Sequence, residues 1–525
     1  MSEMLYPIGV QSFDKIRNGN YVYVDKTEYI WKLTHSGNYY FLSRPRRFGK
    51  SLLQSTIQAY FEGRRELFKG LAIERMEKDW LRYPVLHLDL NAQDYTVDDS
   101  LFNIIDENLD RWEKEYDIKY DRNDFGLRFS NVIKTAHETT GRQVVILIDE
   151  YDKPLLMNLS HEERQERFRN MLKGFYGVLK SCDRHIKFAL LTGVTKFGRV
   201  SVFSDLNNLN DISLNADYNE ICGISESELA EYFGQSIRIL GEANGMTEEQ
   251  TRETLRLNYD GYHFTGLPSE GMYNPYSLLN VFYAKRFGDF WFINATPTFL
   301  IDLLKKARFD LSNLPGSKRD ENALMGLDPA FRDPVPVIFQ SGYLTISGFD
   351  RQRQQYILDF PNREVEKGFL NALLPYYANR DIDPGALNVF DLRDALDDGD
   401  VDTFMRILIS FMAGIPFDHT KGTTSEARFH DLLFLVARLI GLDARTEYHT
   451  ALGSIDMAVF TPGYIYVMEF KVDRTPATAL RQIDKRLYDA PFVADSRKVV
   501  KVGVQFSTTL KNIKAWKAVG LPRRK

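Results

Sequence analysis

The sequence predicts an α/β protein of several domains, and three observations carry that prediction. Its 525 residues exceed what one hydrophobic core ordinarily organises. Over about the first 215 residues, apolar strand-like runs alternate with helical patterns, as in a mostly parallel sheet covered by helices. A second unit, with the order helix, three strands, helix, strand, begins near Ser425. Hydrophobic residues at 44% and charged residues at 26% match globular proteins and exclude disordered, collagen-like and coiled-coil chains. The net charge of −5 gives no global attraction for nucleic acid, so such binding needs a local basic surface. Two cysteines, Cys182 and Cys222, are too few for a disulfide scaffold or multi-cysteine zinc site, and are expected as core thiols in a reducing compartment. The opening MSEMLYPIGVQSFDKI lacks a secretory pattern and no run of about 18 apolar residues occurs, so a cytoplasmic location without a membrane partner is expected.

Taken in order, the first sheet is expected to use Tyr39 to Leu42, Val85 to Leu90, Val144 to Ile148 and Phe188 to Leu191. From Ser225 to about Leu304 the pattern is mainly helical, the expected lid. Val335 to Ile346 and Gln355 to Phe360 read as strands flanking the polar loop Ser347 to Gln354, a β-wing on a small winged-helix-like domain. Helices return between Glu364 and Ala413 with turns at Asp383-Pro384-Gly385 and Asp397-Asp398-Gly399, the pattern of a helical connector. The expected domains are therefore 1–215, 216–365, 366–415 and 416–525.

The chemistry begins after the first strand. Ser43-Arg44-Pro45-Arg46-Arg47-Phe48-Gly49-Lys50-Ser51 leads into the helical pattern Leu52 to Phe61, and strand, loop ending in Gly-Lys-Ser and helix are what a P-loop needs. Arg46, Arg47, Phe48 and Gly49 form the cradle at the helix N-terminus, where backbone N–H groups point at phosphate. Lys50 would reach the β/γ oxygens and Ser51 would ligate magnesium. Arg44 stands where the pattern's first glycine is usual, so the loop must adopt a different backbone there. Val144-Val145-Ile146-Leu147-Ile148-Asp149-Glu150 is a buried-strand run ending in two acids, the Walker B arrangement. Asp149 would hold magnesium and Glu150 would polarise the attacking water. Thr192, ending a later strand, is placed to sense the γ-phosphate, and Arg199 to stabilise charge; an arginine supplied in trans would require a homo-oligomer.

On the strings YPIGVQSFDKI, YVYVDKTEYI, YYFLSRPRRFGKSLL and VVILIDEYDKPL, the chain resembles the bacterial AAA-ATPase-like family, related to archaeal-type and STAND ATPases. That family similarly carries Arg-Pro-Arg-Arg-Phe before Gly-Lys-Ser, which makes Arg44 a family trait. NPYSLLNVF and IFQSGYLTI extend the likeness beyond about residue 215. The resemblance implies ATP as the nucleotide, where the residues alone imply only an NTP.

Near the C-terminus, Ser454 to Phe460 and Tyr464 to Lys471 are strand-like runs joined by Thr461-Pro462-Gly463. If Pro462-Gly463 is a two-residue loop, Asp456 lies opposite Glu469 and Lys471 shares their face. Facing carboxylates repel unless a cation sits between them, and hard oxygen ligands favour magnesium, or manganese. Lys471 would then orient or activate the water that attacks phosphate. A one-residue slip would separate the acids.

Asp456 with Glu469-Phe470-Lys471 resembles the PD-(D/E)XK nuclease superfamily, with its restriction-endonuclease-like α/β fold. That resemblance assigns Glu426, on a preceding helix, as a metal ligand and Gln482, on the following one, to the catalytic set. Tyr488 is a further candidate on the helix of Gln482, and Ile455 replaces the proline of the motif. Lys511, Lys514, Lys517, Arg523, Arg524 and Lys525 read as a basic tail able to touch phosphates. The resulting expectation is ATP hydrolysis coupled to metal-dependent cleavage of nucleic acid, DNA foremost. The alternative is a STAND-type signalling or scaffold NTPase whose nuclease-like domain binds nucleic acid without cutting it.

Overall fold

Two strands, Tyr39–Ser43 and Val144–Asp149, apolar at every position but the last, are buried throughout in the computed structural model of the chain. Strands covered on both faces need no polar alternation, which is why these runs are continuous. The structure describes residues 4–119, 124–159, 161–196, 208–291, 314–326, 333–377, 389–413, 443–450 and 452–520, with isolated positions between 300 and 311. It divides into one unit of Met1–Ala295 with Gly316–Val365, and another of Thr296–Pro315 with Glu366–Lys525.

The first unit holds a parallel sheet of β1 (Tyr39–Ser43), β2 (Val85–Asp89), β3 (Val144–Asp149), β4 (Ile186–Gly193) and β5 (Asn210–Asp211). Its order is β2-β3-β4-β1-β5, so β4 lies between the strand that feeds the Gly49-Lys50-Ser51 loop and the strand that ends in Asp149. All four expected strands are present, each within two residues of its expected bounds. Helices occupy the crossovers, among them Lys50–Phe61, Phe125–Thr140 and Glu162–Ser181. Cys182 and Cys222 are buried free thiols, as expected.

The helical pattern after Ser225 is also present. Glu226–Asn244 and Glu248–Tyr259 each start on a capping box, built on Ser225 and Thr247, and Asn274 caps Pro275–Ala284. Leu229, Phe233, Ile237, Leu255, Leu278 and Phe282 form the core among them. Short strands β6 (Ile224–Ser225) and β7 (Met272–Tyr273) pair at its edge.

One expected strand is corrected: Val335–Gln340 is an α-helix, buried at all six positions. Pro336 in its first turn is compatible with a helix start, and a short fully buried apolar run has no periodicity to separate helix from strand. Only Thr345 onward is extended. β8 (Ser317–Arg319), β9 (Thr345–Asp350) and β10 (Gln355–Asp359) form an antiparallel sheet in the order β8-β10-β9.

The second unit carries β11 (Asp443–Thr450), β12 (Gly453–Phe460), β13 (Tyr464–Val472), β14 (Lys498–Ser507) and β15 (Asn512–Val519), in that spatial order. The β13–β14 pair alone is parallel, with helix Pro476–Lys485 in the crossover, and the other pairs are antiparallel. One face packs Ile465, Val467 and Ala458 on Leu480 and Ile483 of that helix. The other packs Val459, Tyr466, Met468 and Val502 on helices Val389–Asp397 and Val401–Ala413. The segment expected as a connector therefore supplies two helices to this core. The basic tail is corrected too: Lys514 and Lys517 are exposed on edge strand β15, and Lys511 immediately precedes it. The expected helix after Ser425, the turn at Asp383, and Arg523 to Lys525 lie outside the described residues. Among the described residues no helix is long and apolar enough to cross a membrane.

Candidate functional site

In the 43–51 loop, Arg44 is 1% exposed and its guanidinium donates to the carbonyls of Ser43 (2.9 Å), Ser213 (2.8 Å) and Tyr218 (2.9 Å). It also lies over the Phe264 ring at 4.0 Å. Burial pulls this guanidinium down to about 10. The arginine in place of glycine is thus a structural bolt between the loop and the 213–218 segment. Pro45 abuts Gly342, where a Cβ would come within 2.5 Å of the proline ring. The Arg47 guanidinium stacks on Tyr276 at 4.0 Å, Trp291 Nε1 donates to the Arg46 carbonyl at 3.4 Å, and Arg46 itself is exposed. Gly49 caps helix Lys50–Phe61 with φ +96°, a conformation that glycine adopts without strain.

Lys50 is 3% exposed, and its ammonium donates to the carbonyls of Arg44 (3.0 Å) and Pro45 (3.2 Å) and pairs with Glu150 Oε1 at 3.4 Å. Ser51 sits in the first helical turn, half-buried. Asp149, at the end of β3, is 3% exposed; its Oδ1 accepts from Thr192 Oγ1 at 2.5 Å and from the Glu150 N–H at 3.0 Å. Thr192 in turn accepts from Gln54 Nε2 at 2.7 Å, and Gln54 also donates to the Ile148 carbonyl at 2.8 Å. The hydroxyl proton of Thr192 is therefore committed to Asp149. The strand order thus brings together Lys50, Ser51, Asp149, Glu150 and Thr192 from three neighbouring elements. Arg199 lies outside the described residues.

Beside Gly49 opens a cleft lined by Val24, Lys26, Phe48, Leu52, Cys222 and Leu279 among others. The Phe48 ring is 1% exposed and meets Tyr262 and Phe264 edge-on. A mostly apolar cleft abutting a helix N-terminus has the chemistry to hold a flat heterocycle with its phosphates over the loop.

In the second unit the pairs Met457–Met468, Ala458–Val467, Val459–Tyr466 and Phe460–Ile465 fix the hairpin register. Thr461 N–H donates to the Tyr464 carbonyl at 2.9 Å, so Pro462-Gly463 is the two-residue loop. Continuing that register by one step sets Asp456 opposite Glu469. Alternation puts Glu469 and Lys471 on the face of Ile465 and Val467, under helix Pro476–Lys485. Asp456 Oδ2 accepts from the Phe470 N–H at 2.7 Å. Glu469 is 0% exposed; Oε1 receives Lys471 Nζ at 2.6 Å, while Oε2 is buried without a hydrogen-bond partner among the described residues. Burial first, and then the Asp456 charge, push this carboxyl up to about 7 against the pull of Lys471. An unpartnered buried carboxylate oxygen facing a second carboxylate fits a hard divalent cation. Among the described residues no three His, Cys, Asp or Glu gather into a metal-binding group, and Glu426 lies outside them.

Gln482 is half-buried on helix Pro476–Lys485. Tyr488 is corrected: it lies beyond that helix, 3% exposed, in the core with its hydroxyl against Gly453. Sequence reasoning missed Gln54 and Asp152. The signals were present, since Gln54 is a polar residue on the sheet-facing side of its helix and Asp152 extends an acidic run already singled out.

Comparison with known proteins finds two families along the chain. A family model described as predicted AAA-ATPase matches residues 7–203, and one described as PD-(D/E)XK nuclease superfamily matches residues 424–516. An uncharacterized protein in the vnfD 5' region of Azotobacter chroococcum mcd 1 is 36% identical over 524 residues, covering 98% of each chain.

Proposed function

The chain belongs to the AAA-ATPase-like proteins that carry a C-terminal PD-(D/E)XK nuclease superfamily domain, and from that membership we propose a cytoplasmic enzyme that hydrolyses ATP and cuts DNA with a divalent metal. The observation that carries the cleavage half is the buried Oε2 of Glu469, without a hydrogen-bond partner among the described residues, across the hairpin from Asp456, with Lys471 at 2.6 Å from the other oxygen. Asp456 and Glu469, with Glu426, would hold magnesium or manganese, which would supply positive charge to the phosphodiester and acidify water. Lys471 orients the attacking water and stabilises charge on the phosphate; Gln482 lies on the helix over the same face.

For ATP, the cleft beside Gly49 takes the base, and the 46–49 backbone and Lys50 take the phosphates. Ser51 and Asp149 would hold the nucleotide's magnesium. Glu150 polarises water toward the γ-phosphate, and Thr192 with Gln54 fixes the Asp149 carboxylate. The helical and β-hairpin segments of residues 216–365 act as a lid with winged-helix-like character, which moves with nucleotide state and governs cleavage.

Purified chain with magnesium tests this. Lys50→Ala is expected to abolish ATP binding. Asp456→Ala is expected to abolish strand breaks while ATP turnover persists. Strand breaks that survive Asp456→Ala, or ATP binding that survives Lys50→Ala, would contradict the corresponding half.

A further inference from the structure

Residues Glu150 to Asp152 leave β3 in a tight turn. Glu150 has φ +53°, a left-handed conformation that a residue with a Cβ holds only when its surroundings impose it. The imposing contacts come from the third residue of the turn. Asp152 is 0% exposed, and its Oδ2 accepts from the N–H groups of Val194 (3.1 Å) and Thr195 (2.6 Å) and from Thr195 Oγ1 (2.7 Å). Its Oδ1 lies 3.2 Å from the Val194 nitrogen. Tyr151 strengthens the same junction, its N–H donating to the Thr192 carbonyl at 3.0 Å and its hydroxyl to the Thr195 carbonyl at 2.8 Å. A Cβ on Gly193 would come within 2.5 Å of Asp152 Oδ1, so the clasp closes only over glycine.

The clasp continues on both sides. Lys196 N–H donates to Gln340 Oε1 at 2.7 Å, and two residues on Gly342 abuts Pro45 of the phosphate loop. At the other end, Glu150 faces Lys50 at 3.4 Å. The turn that carries Glu150 is therefore tied to the end of β4 and, through it, to the segment behind the loop.

We propose that Asp152 is a positioning residue for ATP hydrolysis, which fixes Glu150 in its left-handed geometry opposite Lys50 by clasping the turn to Val194 and Thr195. This rests on the ATPase reading above. Asp152 is fully buried, and its effect passes through Glu150. A carboxylate accepts from all these donors, whereas an amide of the same shape turns an N–H toward one of them. Displacing a catalytic group by about 1 Å costs up to about a hundredfold in rate.

The test measures ATP turnover and the affinity for a non-hydrolysable ATP analogue with magnesium on the full chain. Asp152→Asn is expected to lower kcat by roughly 10- to 100-fold with affinity within about twofold. Thr195→Val, which removes one donor, is expected to lower kcat less, and Thr195→Ser to retain it. In a Glu150→Gln background, Asp152→Asn is expected to cause no further loss, since it acts through the missing carboxylate. Turnover in Asp152→Asn equal to wild type, or a further loss in the double variant, overturns the clasp alone. A wild-type chain without ATP turnover overturns the ATPase reading and the clasp with it.

Discussion

Replacing Glu469 by glutamine is expected to stabilise the second unit at alkaline pH while removing its affinity for metal. Glu469 is fully buried, and burial with the facing Asp456 raises its carboxyl from the ordinary 4.5 to about 7. Because the folded value lies above the unfolded one, the folded chain binds the proton more tightly. The contribution to stability is full below pH 4.5 and is lost as pH rises through about 7. At 1.36 kcal/mol per pH unit the loss is at most about 3 kcal/mol, which corresponds to roughly 6–12 °C in Tm for a unit of this size. Scanning calorimetry in chelator from pH 4 to 9 should show the wild-type transition falling between about pH 4.5 and 7 and level above that, and the Glu469→Gln transition falling less across the same window. Magnesium at about a hundred times its Kd should raise the wild-type transition by about 3 kcal/mol and leave the variant unchanged. Identical pH dependence in the two proteins, or equal stabilisation by magnesium, would refute the reasoning.

Three further outcomes follow from the first unit. Arg44→Ala leaves three carbonyls without their buried donor and is expected to destabilise by about 3 kcal/mol, and Arg44→Lys does not restore the fork, as thermal melts would show. Thr192→Val frees the Asp149 carboxylate and is expected to raise the magnesium concentration needed for half-maximal ATP turnover, with thermal stability lowered by about 1 kcal/mol. Glu150→Gln is expected to retain nucleotide binding and to lower turnover by about a hundredfold or more, which single-turnover kinetics would resolve.

Much of this was written locally. The run VVILID announces a strand buried on both faces, and Gly-Lys-Ser after an apolar run announces the loop, because each signal is complete within a few residues. The hairpin register was conditional on Pro462-Gly463 forming the turn, and that turn fixes the opposition of Asp456 and Glu469. What the chain did not disclose depends on tertiary partners. Val335–Gln340 is apolar throughout and carries no period, so its helical state is decided by what surrounds it. Arg44 reads as an irregular loop residue until Ser213, Tyr218 and Phe264, remote in sequence, gather around it. Helices Val389–Asp397 and Val401–Ala413 look like a spacer until Met457, Tyr466 and Val502 are seen against them. Strand β15 was hidden by its lysines, which stand where an edge strand meets solvent.

The most direct test of the account is the integrity of DNA incubated with the purified chain and magnesium, with and without ATP. The account predicts strand breaks that require the metal, change with ATP and disappear in Lys471→Ala. Intact DNA under every condition, with ATP instead driving assembly of the chain, would contradict it.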